Sequence, residues 1–348
     1  MKNILVTGNL GYIGTALTKM LIQLKYNVVG FDSDLYRYCS ANDDLKNLRQ
    51  IENFRQVKKD IRDISLKDLE GIDSIIHLAA LSNDPLGELN SDLTHEINYT
   101  ATIQLAKMAK LAGVHRLVFA STQSIYGISD KNRPLAENDQ IRPITCYAKS
   151  KWKAEIELKD LSANDFVTTS LRPATVFGPS PRIRCDVLLN NLVGYAFTTG
   201  KIEIKSDGRP WRPIIHVNDV CRAFLACIIA PKSLINGESF NVGVPNGNYT
   251  VAQLAEIVNR LVPNTEIIFT HTHIDSRTYQ VNFDKISNML SDYYQPGMDV
   301  MRGVNELLDF YSNIELDYKD FEGKKFIRIK QLDFLLNSGQ LRPSLRWN

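Results

Sequence analysis

The stretch that decides the fold reads ILVTGNLGYIG and spans residues 4–14. It begins as a short apolar strand, and a turn with glycine at every third position leads into a helix whose apolar residues recur at helical spacing. A second apolar strand over residues 28–31 follows, and Asp32 closes it. This order predicts a βαβ unit whose turn cradles phosphate, because glycines let backbone N–H groups approach a pyrophosphate and a helix N-terminus favours negative charge.

Asp32 indicates which dinucleotide such a turn would hold. A carboxylate at the end of the second strand accepts hydrogen bonds from an adenosine ribose and repels a 2′-phosphate. The next residues are Ser33 and Asp34, and no arginine stands beside them. We therefore expect NAD(H) rather than NADP(H) as the cofactor.

Alternating strands and helices continue this pattern along the chain. Apolar strands are predicted over residues 74–80, 117–120 and 167–171, and helices over residues 92–112 and 147–160. The first of these strands is apolar almost throughout, as is usual in a parallel sheet that is buried on both faces. We therefore predict the α/β class, with a Rossmann-type doubly wound parallel sheet and a smaller C-terminal α/β substrate lobe.

The second half of the chain departs from the pattern, because prolines and polar insertions indicate excursions from the sheet. We assign residues 1–178 to an NAD-binding Rossmann domain, with returns to its sheet near residues 213–230 and 239–243. Residues 179–348 then form mainly the substrate-binding lobe and a C-terminal tail. The tail from about Leu316 mixes aromatic, basic and apolar residues, and we interpret it as packing against the small lobe, with partner binding as the alternative.

Composition and charge argue against several classes of partner. The 348 residues carry a formal net charge of +2, which gives no electrostatic case for binding nucleic acid or a membrane surface. No run approaches the roughly 18 apolar residues that cross a bilayer, and the chain starts directly with a strand rather than a signal peptide. The 5 cysteines are scattered, as expected for reduced thiols in a cytoplasmic protein. His271 and His273 lack further ligands, so no metal site is predicted.

Two segments carry the predicted chemistry. Residues 119–127 read FASTQSIYG at the end of a strand, and residues 147–151 read YAKSK at the start of a helix. Tyr147 and Lys151 are four residues apart and so project from one helical face. A lysine ammonium beside a phenol favours the phenolate and lowers the tyrosine pKa from about 10. The phenolate then removes a hydroxyl proton as hydride leaves the same carbon, and Thr122 holds the substrate oxygen.

Together these motifs resemble the extended branch of the short-chain dehydrogenase/reductase superfamily, and the likeness covers roughly residues 1 to 300. The turn Thr-Gly-x-x-Gly-Tyr-Ile-Gly resembles that of the branch, and Thr122, Tyr147 and Lys151 match its Ser/Thr-Tyr-Lys triad. The resemblance implies an NAD-dependent enzyme of the nucleotide-sugar epimerase/dehydratase family that acts on a nucleotide-diphosphate sugar. It also implies a homodimer, in which the two long helices before and after the Thr122 segment pair with their copies in a four-helix bundle.

The residues expected to contact NAD come from the glycine turn, from strand ends and from the catalytic helix. Asp60 and Ile61 are expected at the adenine edge. Small Ala79 and Ala80 would let the cofactor pass close by, and Pro173 would pack against the nicotinamide. The complete predicted set is Gly8, Asn9, Leu10, Gly11, Tyr12, Ile13, Gly14, Asp32, Asp60, Ile61, Leu78, Ala79, Ala80, Asn98, Tyr147, Lys151 and Pro173.

By the same resemblance, arginines hold the diphosphate of the substrate. Arg212 and Arg277 match the two arginines of the family, and Asn191 matches an asparagine near the diphosphate and sugar. One departure is a threonine where the family often has asparagine, which leaves a single hydrogen bond to orient the sugar. Arg182 and Arg184 follow a Pro-Ser-Pro run and are further candidates. The predicted substrate-binding residues are Ser124, Thr175, Asn191, Arg212 and Arg277.

The reaction predicted from this set is epimerisation through a 4-keto intermediate. Gln123 and Ser124 stand where the family's 4,6-dehydratases have an Asp-Glu pair, so no carboxyl group is there to drive water elimination. A net 4-dehydrogenase or 4-keto reductase is the alternative among enzymes, and a net change in NADH separates it from an epimerase. A non-catalytic NAD-binding regulator is a third alternative, although such proteins often lose the tyrosine or lysine that is present here.

Overall fold

A computed structural model describes residues 2–41, 51–128, 133–270, 272 and 278–348. Its strands are β1 (Asn3–Thr7), β2 (Asn27–Asp32), β3 (Phe54–Lys58), β4 (Ser74–His77), β5 (Arg116–Ala120), β6 (Val167–Pro173), β7 (Thr175–Phe177), β8 (Lys201–Ile204), β9 (Trp211–His216), β10 (Glu238–Val242), β11 (Asn248–Thr250) and β12 (Glu266–Phe269).

Helices connect these strands and cover the large sheet. They are α1 (Tyr12–Gln23), α2 (Asp84–Gly87), α3 (Ser91–His95), α4 (Ala101–Leu111), α5 (Cys146–Leu161), α6 (Leu188–Thr199), α7 (Val217–Ile229), α8 (Lys232–Ile235), α9 (Val251–Leu261), α10 (Asp284–Met289), α11 (Val300–Asn313), α12 (Tyr318–Phe321) and α13 (Arg328–Asn337). A π-helical turn at Glu96–Thr100 joins α3 to α4. None of the helices in the described ranges combines the length and apolar content needed to span a membrane.

Seven strands form one parallel sheet in the order β10-β6-β5-β4-β1-β2-β3. The strand order reverses at β1, which pairs with β2 on one side and with β4 on the other. Open α/β sheets bind their ligands at such a reversal, in the crevice beyond the carboxyl ends of the strands. The predicted Rossmann-type doubly wound sheet is thus confirmed, and its topology places a ligand crevice after β1 and β4.

The sheet separates two apolar layers. Ile4 and Val6 belong to one layer, with residues of α1 and α7, whereas Leu5 belongs to the other, with residues of α4 and α5. All three side chains are fully buried. Successive side chains of a strand point to opposite faces, so a strand covered by helices on both sides must be apolar throughout.

The second lobe has small sheets and a core of its own. β7 pairs in parallel with β9, β9 pairs in antiparallel fashion with β11, and β8 pairs with β12. α6, α9 and α11 contribute buried Leu189, Leu254 and Val304 to one apolar cluster. The expected returns to the large sheet differ in part, since β9 lies in a small sheet, whereas α7 packs on the large sheet and β10 joins it. The domain boundary at residue 178 stays a prediction.

The C-terminal tail follows the prediction only in its first part. Phe321 lies in the core of the small lobe, as expected. Leu332 and Leu335 of α13 instead lie in the apolar layer that α4 and α5 share, on the large sheet. The indole Nε1 of Trp347 donates a hydrogen bond of 2.7 Å to the carbonyl oxygen of Ser33, just after β2. The tail therefore crosses from the small lobe to the NAD-binding sheet.

Candidate active site

A cavity of about 910 Å³ opens at the carboxyl ends of the strands in the large sheet. Its walls include residues at or just after five of these strands, from β1, β2, β4, β5 and β6: Gly8, Asp32, Ala79, Thr122 and Pro173. Residues of the small lobe and of the tail form the opposite wall. The cavity is thus the crevice that the strand order predicts.

Gly8 shows why the turn after β1 requires glycine. Its backbone has φ +71°, and a Cβ there would lie 2.6 Å from the backbone nitrogen of Ala79. No side chain fits in that space, so the turn runs directly against the end of β4. Backbone atoms, rather than side chains, therefore face the part of the cavity where a pyrophosphate is expected. Gly11, Tyr12, Ile13 and Gly14 also line the cavity, and their contacts with NAD stay predictions.

Asn9 and Leu10, the other two predicted turn residues, do not line the cavity. The buried Asn9 amide exchanges two hydrogen bonds, of 2.7 and 3.1 Å, with the Gln56 amide. The Leu10 N–H donates to Asp32 Oδ2 at 3.0 Å. The Asn9 side chain therefore holds the turn against Gln56, and the Leu10 N–H holds the acid; contact of either residue with NAD stays a prediction.

Asp32 keeps the position expected of a ribose acceptor. Its Oδ1 accepts a hydrogen bond of 2.7 Å from the Asp34 N–H, and its side chain lines the cavity. Burial raises the pKa of Asp32, and the two backbone hydrogen bonds oppose that shift. A glycine cradle with no room for side chains, followed by a carboxylate at the end of β2, is a donor and acceptor set that fits NAD.

Asp60 lies at the predicted adenine edge but already has a partner. Its Oδ1 accepts from Arg62 Nε at 2.9 Å and its Oδ2 from Arg62 Nη2 at 2.7 Å. Burial raises the pKa of Asp60, but the hydrogen bonds and charge of Arg62 outweigh burial and hold it below its ordinary value. Asp60, Ile61, Leu78 and Ala80 line the cavity, and their contacts with adenine stay predictions.

The three predicted catalytic residues meet at one wall of the cavity. Tyr147 lies in the first turn of α5, and Thr122 follows β5 and accepts a hydrogen bond of 3.1 Å from the Ser124 N–H. The side chain of Thr122 lies close enough to the Tyr147 phenol to lower its pKa. One turn along α5, Lys151 Nζ donates to the carbonyl oxygen of Ala120 at 2.8 Å. The sequence spacing thus predicted a real juxtaposition.

The protonation of this trio differs from the prediction. Burial raises the pKa of Tyr147 to about 12, and the side chain of Thr122 and the charge of Arg184 only partly oppose it. Burial also lowers the pKa of Lys151 to about 7. The expected lowering of the tyrosine pKa by Lys151 is therefore wrong for this state of the protein, because burial disfavours the charged form of both groups.

A buried ion pair, which no motif of the sequence indicated, fixes α5 against the sheet. Glu155 Oε1 lies 2.5 Å from Arg172 Nη2 on β6, and both side chains are 3% exposed. The other carboxylate oxygen accepts a hydrogen bond of 2.5 Å from Ser121 Oγ, next to Thr122. Because Glu155 is one turn beyond Lys151, the helix is held at two successive turns. Glu155 and Arg172 position the catalytic wall and do not themselves line the cavity.

Asn98 is a predicted cofactor residue that lies away from the cavity lining. It is fully buried in the π-helical turn, where Oδ1 accepts from the Leu81 N–H at 2.8 Å and Nδ2 donates to the Leu81 carbonyl at 3.1 Å. Asn98 therefore holds the loop after β4, and Ala79 and Ala80 of that loop face the crevice. Direct contact of Asn98 with NAD stays a prediction.

Four of the five predicted substrate-binding residues line the cavity, and the fifth is not described by the structure. Ser124, Thr175, Asn191 and Arg212 line the cavity, and Asn191 Nδ2 also donates to the carbonyl oxygen of Cys185 at 3.0 Å. Arg277 lies outside the described residues, as do His271 and His273. No cluster of three metal-ligating side chains occurs in the described part of the chain.

Of the two further arginine candidates, one lines the cavity. Arg184 does so, and it pairs with Asp186 through a contact of 2.6 Å. Arg182 instead forms an ion pair of 3.0 Å with Asp34 and donates to the Tyr36 carbonyl, so it ties the small lobe to the loop after β2. The tail adds three lining residues that the sequence did not suggest: Glu322, Ile327 and Arg328.

Comparison with known proteins gives the same picture. A family model described as the NAD dependent epimerase/dehydratase family matches residues 4–243. The UDP-glucuronate 4-epimerase of Thermodesulfobacterium geofontis is 26% identical over 326 residues, which are 90% of this chain and 97% of that protein. An uncharacterised UDP-glucose epimerase of Bacillus subtilis is 31% identical over 251 residues, 69% of this chain and 76% of that protein.

The fold also matches solved structures over most of the chain. The UDP-glucuronic acid 4-epimerase from Bacillus cereus, in complex with UDP-glucuronic acid and NAD, aligns with a TM-score of 0.77 and 24% identity. The alignment covers 90% of this chain and 99% of the other. At that identity the likeness supports the fold.

Proposed function

The chain belongs to the NAD dependent epimerase/dehydratase family and is therefore an NAD-dependent enzyme, and from that premise we propose that it epimerises a nucleotide-diphosphate sugar through a 4-keto intermediate. The observation that carries the proposal is the meeting of Thr122, Tyr147 and Lys151 at the wall of the cavity that the glycine turn also lines. The two relatives compared above are named for UDP-glucuronate and UDP-glucose, so UDP-hexoses are the first substrates to test.

The side chains of the catalytic wall carry out both proton transfers of the proposed reaction. Thr122 holds the C4 hydroxyl of the sugar, and Tyr147 takes its proton while the C4 hydrogen leaves as hydride. NAD, when bound, supplies the hydride acceptor. After the keto sugar turns over, Tyr147 returns the proton to the oxygen as hydride returns to the opposite face of C4. One carbon changes configuration, and the cofactor is not consumed.

Lys151 has two proposed roles in this scheme. It bonds the nicotinamide ribose, and in its charged form it favours the phenolate of Tyr147, which lies one helical turn away. Burial opposes both charged forms in the protein itself. Ordering of ligands in the cavity must therefore supply part of the stabilisation that the phenolate requires.

Gln123 and Ser124 support epimerisation over 4,6-dehydration. Gln123 Nε2 donates to the Arg172 carbonyl oxygen at 3.0 Å, which holds the amide against the backbone. Neither side chain carries a carboxyl group that could protonate a leaving hydroxyl or remove a carbon-bound proton. A sugar bound here would therefore be oxidised at C4 without loss of water.

The other wall of the cavity suits the remainder of such a substrate. We propose that Arg212 and Asn191 bind the diphosphate, with Arg277 as the second arginine, and that Ser124 and Thr175 bind sugar hydroxyls. A guanidinium offers two parallel hydrogen bonds to phosphate oxygens, which suits a diphosphate better than a single point charge does.

Assembly and location extend the proposal. We propose a homodimer through the outer faces of α4 and α5, where Leu111 and Ile156 are 79% and 44% exposed. A monomer by light scattering at working concentration would contradict it. We also propose a cytoplasmic location, because each cysteine is a free thiol. A role in carbohydrate biosynthesis follows from the proposed substrate class.

The test of the proposed function is a substrate panel with a stereochemical readout. The purified protein is incubated with NAD and UDP-, dTDP-, GDP- and CDP-hexoses, and the products are separated and assigned by NMR. An epimerase gives a C4 epimer with no net NADH, whereas a 4-dehydrogenase accumulates NADH and a 4-keto product. A panel with neither turnover nor cofactor reduction would contradict both.

A further inference from the structure

The tail places a buried arginine in the wall of the cavity. Arg328 is the first residue of α13, is 4% exposed and lines the cavity together with Glu322 and Ile327. It lies 85 residues beyond the end of the segment that the family model matches, which closes at residue 243. The family motifs therefore assign it no role.

Arg328 has no carboxylate partner among the residues that the structure describes. Its one hydrogen bond there runs from Nη2 to the Arg182 carbonyl oxygen, at the long distance of 3.5 Å. Its Nε is buried and has no partner. The guanidinium lies over the Tyr36 ring, 4.4 Å from the ring centre, and this contact supports its plane without using any of its N–H donors.

The neighbouring charges do not compensate it. Arg182 is paired with Asp34 at 3.0 Å, and Arg184 is paired with Asp186 at 2.6 Å. Each of these pairs is neutral, so within the described ranges no carboxylate is left to balance the charge of Arg328. Burial and the charge of Arg184 both lower the pKa of Arg328, in the direction expected for a cation without a partner. Burying such a group costs free energy that an anion would recover.

We propose that Arg328 is an anion-binding residue, which donates its free hydrogen bonds to a pyrophosphate oxygen of a ligand held in the cavity. Its donor fork, its position in the cavity wall and the positive excess around it all favour a phosphate anion over a neutral group. Both ligands considered above carry a pyrophosphate: NAD, and the nucleotide sugar. Binding to the nucleotide sugar rests on the proposed function, whereas binding to NAD rests on the family alone.

The proposal gives the tail a task beyond packing. The turn after β1 approaches a pyrophosphate with backbone N–H groups, whereas Arg328 would approach one with a full charge from the other side of the crevice. Binding of the anion would then also fix α13 on the large sheet.

The experiment compares Arg328→Met with Arg328→Lys and with Arg342→Met, an exposed arginine of the same tail. Affinities for NAD and for UDP, dTDP, GDP and CDP are measured by titration calorimetry, and melting temperatures are recorded without ligand. Arg328→Met is expected to weaken one class of ligand by about tenfold or more. Its melting temperature without ligand should not fall, because an unpaired buried charge has been removed. The ligand affinity of Arg328→Lys should lie between those of Arg328→Met and the wild type, and the affinity of Arg342→Met should match the wild type.

The outcomes separate the two sources and the two proposals. A loss confined to NAD assigns the cofactor's pyrophosphate, and a loss confined to nucleoside diphosphates assigns the substrate's. Unchanged affinity for every probe in a folded Arg328→Met protein overturns the anion site and leaves the proposed function standing. A lower melting temperature without ligand, with all probes weakened equally, overturns it in favour of a structural role. If the wild-type protein binds NAD but no nucleoside diphosphate, the result counts against the proposed function. The proposal that Arg328 binds the pyrophosphate of NAD is then still tested by the NAD titrations.

Discussion

The Nζ atom of Lys151 lies 2.8 Å from the carbonyl oxygen of Ala120, so the catalytic helix is joined directly to the end of a central strand. One turn further along α5, Glu155 pairs with Arg172 of the next strand. These two contacts fix both the height and the rotation of α5 over the sheet. Tyr147, in the first turn of the helix, is consequently held beside Thr122, which follows Ala120 by two residues.

Tyr147→Phe tests whether the phenol carries the proton. The variant keeps the ring and loses the hydroxyl, so we expect turnover to fall by about 10²- to 10⁴-fold while NAD affinity changes by less than about threefold. Product formation and titration calorimetry measure the two quantities. Tyr249→Phe on β11, a tyrosine outside the lining of this cavity, is the matched control and should retain full activity. A Tyr147→Phe enzyme with wild-type turnover would remove the central premise of the mechanism.

Gly8 and Gly71 form a matched pair for the phosphate cradle. Both have φ +71°, but a Cβ at Gly71 meets open space, whereas one at Gly8 would lie 2.6 Å from the Ala79 nitrogen. Gly71→Ala should therefore cost only the backbone strain, about 1 kcal/mol of unfolding free energy. Gly8→Ala should cost more and should weaken NAD binding by about tenfold or more, because the turn must move away from β4. Equal unfolding free energies and unchanged NAD affinity in the two variants would contradict this.

The sequence predicted those parts of the site that depend on short stretches of neighbouring residues. The glycine turn, Asp32 and the four-residue spacing of Tyr147 and Lys151 each depend on a few adjacent residues, and the cavity brings all of them together. The sequence could not show that the Asn9 side chain turns into the protein, because its hydrogen-bond partner there is Gln56, which is 47 residues away. No pattern within the turn itself carries that information.

The tail shows the opposite case. Leu335 shares an apolar cluster with Leu5, and Trp347 donates a hydrogen bond to Ser33, so both depend on residues hundreds of positions earlier. An amphipathic helix reveals that it has an apolar side, but not which of two apolar surfaces will cover it. The same limit hid Arg328, because a single arginine in a basic tail is usually exposed.

Leu335→Ala tests the packing of the tail on the large sheet. Leu335 is fully buried among residues of that sheet, so its truncation should lower the unfolding free energy by about 2–4 kcal/mol. The adjacent Phe334 is 38% exposed, and Phe334→Ala should cost less than about 1 kcal/mol. Urea denaturation measures both. If both substitutions cost the same small amount, the tail is not part of the core.

Lys151→Met tests the effect of burial on the lysine charge through the pH dependence of stability. Burial lowers the pKa of Lys151 from 10.5 to about 7, so below about pH 7 the folded protein holds a buried ammonium, and above that pH it holds a neutral amine. The unfolded chain binds more protons between about pH 7 and 10.5, and the stability of the wild type should therefore rise with pH across that window.

Methionine removes the ammonium but also the hydrogen bond to Ala120, which is worth about 1 kcal/mol. At pH 6 the variant should therefore be more stable than the wild type by on the order of 3 kcal/mol, and the difference should shrink between pH 7 and 10. Urea denaturation of both proteins at pH 6, 8 and 10 measures it, and Lys149→Met on the exposed side of α5 is the control. If the difference in unfolding free energy between Lys151→Met and wild type stays constant with pH, burial does not destabilise the charged form of Lys151 in the folded protein. The proposed source of positive charge for Tyr147 would then have to be sought elsewhere.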